Sequence, residues 1–348
     1  MRESVPGKRY RYITLMSQVT SAEPMNRRAK YLAGLIASAL TVATIMGCAI
    51  GREAPSASLN PRGIAEIQNI GVPVSHASSR PSVALVLGGG GLRGFAHVGV
   101  LSALEELGIH PDVIVGTSAG AVVGAAYASG LTPQQIESAA LDVKIPSLID
   151  FTLSTSGMIR GNKLAGWIDS ITGGVPIEQF PRRFAAVATD LQTGQAVLLD
   201  HGAAGSVVRA SSSVPGMNIP VAYDKGHLID GGVTSLVPVR FARAMGAHVV
   251  IAVDIYCRSA PAEGIGVPKV INRVMHTQSC LLAEAEVAQA DVLISPRLTV
   301  PSMSSREAKE RVIREGYDAA YTAIKDWQEG APQGGSYDEM RELALLLI

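Results

Sequence analysis

The chain has 348 residues, 47% of them hydrophobic, and its 30 Lys and Arg balance 30 Asp and Glu for a formal net charge of zero. A neutral chain lacks the broad basic footprint that phosphate backbones require, which argues against a nucleic-acid partner. With 36 glycines and only 5% aromatic residues, the composition suits a large core of small-residue helices pressed onto a sheet, the α/β layer class.

Residues 25–48 carry a basic start at Arg27, Arg28 and Lys30, an apolar stretch from Tyr31 to Met46, and Gly47 before Cys48. This is the layout of a signal peptide. The stretch falls short of the about 20 apolar residues a spanning helix needs, so cleavage is expected ahead of an uncleaved anchor. The run Ile45-Met46-Gly47-Cys48 resembles the bacterial lipoprotein box, which implies lipidation of Cys48 and a membrane partner reached through the anchor. Ala49 replaces the aspartate of an inner-membrane retention signal, so the expected address is the periplasmic face of the outer membrane. Residues 1–24 read as an overlong leader upstream of Met25, giving a leader and signal peptide over 1–47. Residues 48–80, rich in Ser, Pro, Ala and Gly, read as a lipidated cysteine and flexible tether without core residues.

The catalytic-size domain is expected over 81–328, with a linker-like tail at 329–348. Val83–Leu87 is a continuous apolar run, expected as a buried strand, broken at once by Gly88–Gly91. A helix through Leu107 follows. A second strand, Val113–Val115, leads into Gly116-Thr117-Ser118-Ala119-Gly120, a G-x-S-x-G elbow that exposes a serine hydroxyl on a sharp strand-to-helix turn. The helix that follows aims its N-terminal dipole near Ser118, favouring a developing alkoxide. Thr132, Pro133 and Gln135 announce a capped helix, Lys144–Met158 a loop or short helices over the site, and Asn162–Ile171 an amphipathic helix. Phe184–Ala188 and Gln195–Leu199 read as strands around a turn in which Asp190 bonds backbone amides. Val207–Ser213 is expected as a short helix. Leu228-Ile229 leads to Asp230-Gly231-Gly232, a carboxylate at a strand end suited to act as a base. Helices at 241–245, 270–290 and 306–327 and strands at 249–253 and 292–294 complete a single three-layer α/β/α domain with a mostly parallel sheet.

The glycine-rich turn admits three chemistries. Gly89, Gly91 and Gly94 match G-x-G-x-x-G, but a dinucleotide site wants an acidic residue after the second strand, where Ser118 stands. A P-loop would need a following Gly-Lys-Ser/Thr, which is absent. As an oxyanion hole, the glycines aim backbone amides at one oxygen and Arg93 adds charge.

The order and spacing of GGGGLRGFAHVGVL, GTSAG, RASSSVPG and DGG resemble the bacterial patatin-like phospholipases, from about Val83 to Ile255. The resemblance implies Ser118 as nucleophile, Asp230 as its only catalytic partner, and Gly89, Gly90, Gly91 and Arg93 at the oxyanion hole. It implies a serine acyl hydrolase acting on a lipid or ester substrate through an acyl-enzyme, with no cofactor and no metal. His248 and His276 follow Asp230 in the order of an ordinary triad, but a strand start and a mid-helix position suit structural roles; His97 reads as a packing or hydrogen-bonding residue. Arg209 matches the family as structural support. After DGG many relatives carry Asn-Pro, whereas this chain has Ser235-Leu236, so Ser235 is expected to support the aspartate loop. A non-catalytic or dinucleotide-binding α/β lipoprotein is the alternative. Cys257 and Cys280 either pair or remain buried thiols.

Overall fold

The computed structural model describes residues 59–69, 82–259, 264–298 and 305–330. The leader and signal peptide, Cys48, most of the tether and the tail from residue 331 lie outside the described residues.

The described chain runs α1 (Ile64–Asn69), β1 (Val83–Leu87), α2 (Phe95–Glu106), β2 (Val113–Thr117), α3 (Ala119–Ala128), α4 (Pro133–Asp142), α5 (Asn162–Ile171), β3 (Arg183–Asp190) and β4 (Ala196–Leu199). It continues through α6 (Ala204–Ser211), β5 (Val221–Tyr223), β6 (Gly226–Asp230), α7 (Val239–Ala244), β7 (Val249–Val253), α8 (Val267–Val287), β8 (Val292–Ile294) and α9 (Arg306–Glu329). The strands form one eight-stranded sheet in the order β5-β6-β3-β2-β1-β7-β8, with β4 on β3. Pairing is parallel from β3 through β2, β1 and β7 to β8, and antiparallel where β4, β5 and β6 join.

The continuous apolar strands are explained by helices on both faces. In β1 every residue is fully buried. Val83, Leu85 and Leu87 pack with α2, α3, α5, α6 and α9, while Ala84 and Val86 point the other way toward α1, α7 and α8. This is the expected three-layer α/β/α fold.

Two expectations need correction. The stretch assigned wholly to a tether contributes α1 to the domain: Ile67 and Leu59 are buried, and Arg62 exchanges two backbone hydrogen bonds with Leu198 at 3.0 and 2.9 Å. The Arg62 guanidinium also pairs with Asp200. Covering the outer edge of β4 satisfies groups an edge strand leaves open, a long-range reward that local composition does not register. Helix α6 begins at Ala204 and not at Val207; the Asp169 carboxylate of α5 accepts the Gly205 N–H at 2.7 Å and so satisfies a first-turn donor. The Cys257–Cys280 question resolves as a disulfide, which fastens the chain beyond β7 to α8.

Helices α2 and α9 touch backbone to backbone. A Cβ on Gly99 would meet the Ile313 carbonyl at 1.8 Å, and one on Gly316 the Ala96 carbonyl at 2.1 Å. Gly166 in α5, by contrast, faces open space. Gly99→Ala should therefore overpack the crossing and cost about 3 kcal/mol, whereas Gly166→Ala should stabilise by about 0.5–1 kcal/mol through helix propensity. Denaturant unfolding of both variants measures the pair, and equal effects would contradict the crossing.

Candidate active site

The sheet register itself creates the site. Strand β2 runs parallel to β3 and ends with Thr117 opposite Val187, while β6 runs antiparallel and ends with Asp230 opposite Ala188. Strand β4 spans Ala186–Thr189 of β3 and so takes its other edge. Strands β2 and β6 thus approach each other head-on along a single edge of β3, and their C-terminal residues meet. The next residue after β2 is Ser118, and its Oγ donates a hydrogen bond to Asp230 Oδ2 at 2.7 Å.

The serine backbone has φ 53° and ψ −117°, and among the described residues Ser118 is the only non-glycine with positive φ. Such a conformation costs about 1–3 kcal/mol and persists only when the surroundings enforce it. The enforcement comes from small residues. A Cβ on Gly116 would fall 2.5 Å from the Gly120 carbonyl, and one on Gly120 would fall 1.9 Å from the Leu87 carbonyl. The Ser118 N–H donates to Ser211 Oγ at 2.9 Å, and that hydroxyl donates in turn to the Val187 carbonyl at 2.7 Å. The SSS run therefore supplies a positioning hydroxyl, a role that no local pattern distinguishes from the neighbouring serines.

Asp230 is held on every side. Its Oδ1 accepts the Gly232 amide at 2.7 Å, its own N–H donates to the Ser213 carbonyl at 2.8 Å, and Thr189 Oγ1 donates to its carbonyl at 3.0 Å. Burial pushes the carboxyl pKa up to about 6, against the opposing pull of the hydrogen bonds from Ser118 and Gly232. Thr117 Oγ1 donates to the Ser235 carbonyl at 3.0 Å, tying the end of β2 to the loop beyond Asp230. Ser235 Oγ donates to the buried Glu286 of α8 at 2.6 Å, and burial raises the Glu286 carboxyl. Ser235 thus braces the aspartate loop through a partner that sequence reading missed, since Glu286 lies far along the chain inside an ordinary helical pattern.

The glycine-rich turn lies beside this pair, and its amides are not equivalent. Gly88 N–H bonds the Val253 carbonyl and Gly89 N–H bonds the Leu236 carbonyl, each at 3.0 Å. Gly89 is accordingly corrected as an oxyanion donor: its proton is committed, and its small size instead allows approach to Ser118, whose Cβ would stand 3.4 Å from a Cβ at Gly89. The Gly90 and Gly91 amides have no hydrogen-bond acceptor among the described residues. Gly91 takes φ 59° and opens a short 3-10 turn through Gly94, where a Cβ would come within 2.9 Å of Ala119 Cβ. Arg93 sits in that turn, buried, with its guanidinium 5.1 Å from the Tyr256 ring centroid, and burial holds its pKa below the usual value.

The histidines stand apart from the pair. His97 is fully buried and kept neutral, with burial lowering its pKa to about 4; its Nε2–H donates to the Gly88 carbonyl at 2.8 Å and so fixes the glycine turn. His248 Nδ1 contacts Ser82 Oγ at 2.9 Å at the start of β7, the opposite end of the sheet, and His276 Nε2 contacts the Tyr256 carbonyl at 3.3 Å. Among the described residues no histidine bonds Ser118 or Asp230. Asp190 is a turn anchor as its sequence setting suggests: burial pushes its pKa up, but hydrogen bonds from Tyr223 and the Thr193 and Gln192 amides outweigh this and hold it low. Arg209 Nε donates to the Arg160 carbonyl at 2.9 Å, a structural tie between α6 and the loop before α5.

Ser118 opens onto a cavity of about 350 Å³ between α2, α3, α4 and α5. Its walls include Leu92, Phe95, Val98, Val122, Leu164 and Trp167. An apolar chain fits such a lining, which also includes Ser118 and Gly91.

Residues 85–243 match the family model for patatin-like phospholipase. An uncharacterized NTE family protein of Mycobacterium tuberculosis is 37% identical over 210 residues, covering 59% of this chain and 58% of that protein. Patatin-like phospholipase domain-containing protein 7 of Rattus norvegicus is 38% identical over 185 residues, 51% of this chain and 14% of that protein. The matched region therefore spans between a seventh and about three fifths of these relatives' lengths. Among solved structures, VipD from Legionella pneumophila aligns with a TM-score of 0.49 at 15% identity, covering 79% of this chain and 71% of that one. The span that matches the family model contains the elbow, the glycine turn and Asp230.

Proposed function

We propose that the protein is a serine acyl hydrolase that cleaves ester bonds of lipids or phospholipids with Ser118 and Asp230 as a dyad. The observation that carries this reading is the 2.7 Å hydrogen bond to a buried carboxylate from the Oγ of Ser118, a residue that lines an apolar cavity. In the reaction, Asp230 Oδ2 accepts the hydroxyl proton as Ser118 Oγ bonds to the ester carbonyl carbon. The carbonyl electron pair moves onto oxygen, where the Gly90 and Gly91 amides and the nearby Arg93 charge stabilise it. Collapse re-forms the carbonyl and expels the alcohol oxygen, which takes the proton from Asp230. A water then attacks the acyl-enzyme, giving its proton to Asp230; collapse returns that proton to Ser118 and releases the acid.

An aspartate at its ordinary value of about 3.9 is a weak base. Burial moves Asp230 toward the pKa at which a base works near neutral pH. The same apolar surroundings support an acyl chain as the group bound beside Ser118. Cys48 lipidation and residence on the periplasmic face of the outer membrane belong to the same proposal, supported by the basic start, apolar stretch and cysteine of residues 25–48.

Hydrolysis of p-nitrophenyl butyrate and of phospholipid should fall on the order of 10⁴-fold in Ser118→Ala and comparably in Asp230→Asn. Undiminished turnover in either variant sinks the dyad, and loss in His248→Ala or His276→Ala with the dyad variants active would point to a triad. Gly90→Ala, whose Cβ would meet Ile255 Cδ1 at 2.7 Å, should cost about 10²–10³-fold through the displaced oxyanion donors.

The pH dependence has a definite sign. Only the carboxylate form of Asp230 accepts the proton, so kcat/KM should rise with pH up to about 6 and level off above it. A profile that instead falls as pH rises through this window contradicts Asp230 as the base. For the anchor, Cys48→Ser should abolish incorporation of labelled fatty acid during expression in a bacterial host, read by gel fluorography; retained label would place lipidation elsewhere.

A further inference from the structure

Helix α8 is far longer than its crossover requires. Cys280 is bonded to Cys257, just beyond the end of β7, and Glu286 reaches Ser235 beside the Asp230 loop. The turns from Cys280 onward lead back alongside the sheet toward β8. The turns before Cys280 therefore continue outward past the C-terminal edge of the sheet, where Ser118 and Asp230 stand. At about 1.5 Å per residue, Val267 to Cys280 covers roughly 20 Å.

This projecting half is unlike an ordinary solvated helix. Residues 269–274 are all exposed, and His276, whose ring lies 4.6 Å from that of Tyr256, is the first buried residue among those described along it. Ile265 is 94% exposed, Val267 72%, Ile271 52% and Val274 58%, with Val270 exposed between them. Branched aliphatic residues on water at this density form a patch that a soluble surface normally avoids. The charge is equally one-sided: from Gly264 to Ala283 no acidic residue occurs, while Lys269 and Arg273 are exposed among the aliphatic side chains. Further apolar surface stands beside the cavity, where Phe151 is 77% and Leu153 93% exposed and where exposed Met217 accepts the backbone N–H groups of Met158 and Ile159.

We infer that the first half of α8 docks the protein on an anionic lipid surface, seating its aliphatic side chains among the acyl chains and its Lys269 and Arg273 on the headgroup charge. An exposed helix with aliphatic and basic residues and no acids lies in the interface plane. It does not cross: no helix among the described residues is long and apolar enough to span a membrane. The inference rests on the lipid-hydrolase reading for its purpose, since a lipid surface holds that substrate class, but its physical basis is separate from the dyad. The disulfide and the Glu286–Ser235 bond fasten the docking helix to the loop that carries Asp230, so the interface and the site keep a fixed relation.

A local probe separates this contact from any binding through the N-terminus. In the full chain bearing Ser118→Ala, so that vesicles stay intact, and Trp167→Phe with Trp327→Phe, so that no other indole emits, Val274→Trp or, as a second position, Val270→Trp reports through its indole emission. With phosphatidylglycerol vesicles the emission should shift to the blue and be quenched by bromine on the acyl chains, with a smaller response on phosphatidylcholine. Lys269→Gln with Arg273→Gln should raise the lipid concentration at half-response roughly 30-fold. Absence of a vesicle-dependent shift at both positions overturns the inference, whether or not the protein cosediments. A blue shift that grows with protein concentration and needs no vesicles also overturns it, assigning the face to a second copy of the chain. Because the readout uses no turnover, a failed dyad and a failed docking helix give different results.

Discussion

The site depends on the arrangement of one edge of β3. Two strands of opposite direction share that edge, each ending where the other ends, so a serine and an aspartate more than a hundred residues apart in sequence meet with no linker between them. Everything else in the neighbourhood serves to hold this meeting. The Thr117 hydroxyl crosses to Ser235, Thr189 and Ser213 grip the Asp230 backbone, and Ser211 seats the Ser118 amide. The proposed dyad has no imidazole intermediary and so little tolerance in distance, and the hydrogen-bonded frame on Ser118 and Asp230 limits their movement physically.

Burial of Asp230 links this geometry to chemistry. A carboxylate taken from water loses solvation, and its pKa rises; its two hydrogen bonds recover only part of the loss. The partner serine is likewise held in a backbone conformation that costs energy in isolation. The surrounding core supplies the compensation, with β1 wholly buried and glycines allowing the elbow to press against Leu87. The costs of the site and the density of the core are therefore coupled features of one fold.

The outer shell shows a second coupling. Helix α8 takes part in the packing of one face through Ala283, in the Asp230 loop through Glu286, and in the region beyond the sheet edge through the Cys257–Cys280 bond. Ser235 finds in Glu286 a buried partner that supports the loop. A long helix anchored at one end and exposed at the other can carry a surface function without disturbing the reacting groups.

Much of this was legible in order along the chain. Apolar runs ending in glycine marked β1 and β2, the G-x-S-x-G spacing marked a strained serine, and DGG marked a carboxylate at a strand end, because each of these needs particular residue types within a few positions. What depended on distant contacts was not legible. Nothing local distinguishes Ser211 from its neighbours as the hydroxyl beneath Ser118, or Glu286 from other helix acids. Leu59 and Ile67, in a stretch that reads as tether, were claimed by the edge of β4. The glycine turn shows the division most clearly: composition determined that its backbone could turn tightly, but only the tertiary structure decided which amides are committed, since Gly89 bonds Leu236 while the Gly90 and Gly91 amides have no acceptor among the described residues. Local sequence limits the conformations a segment can take; the pairing of donors with distant acceptors is settled by packing.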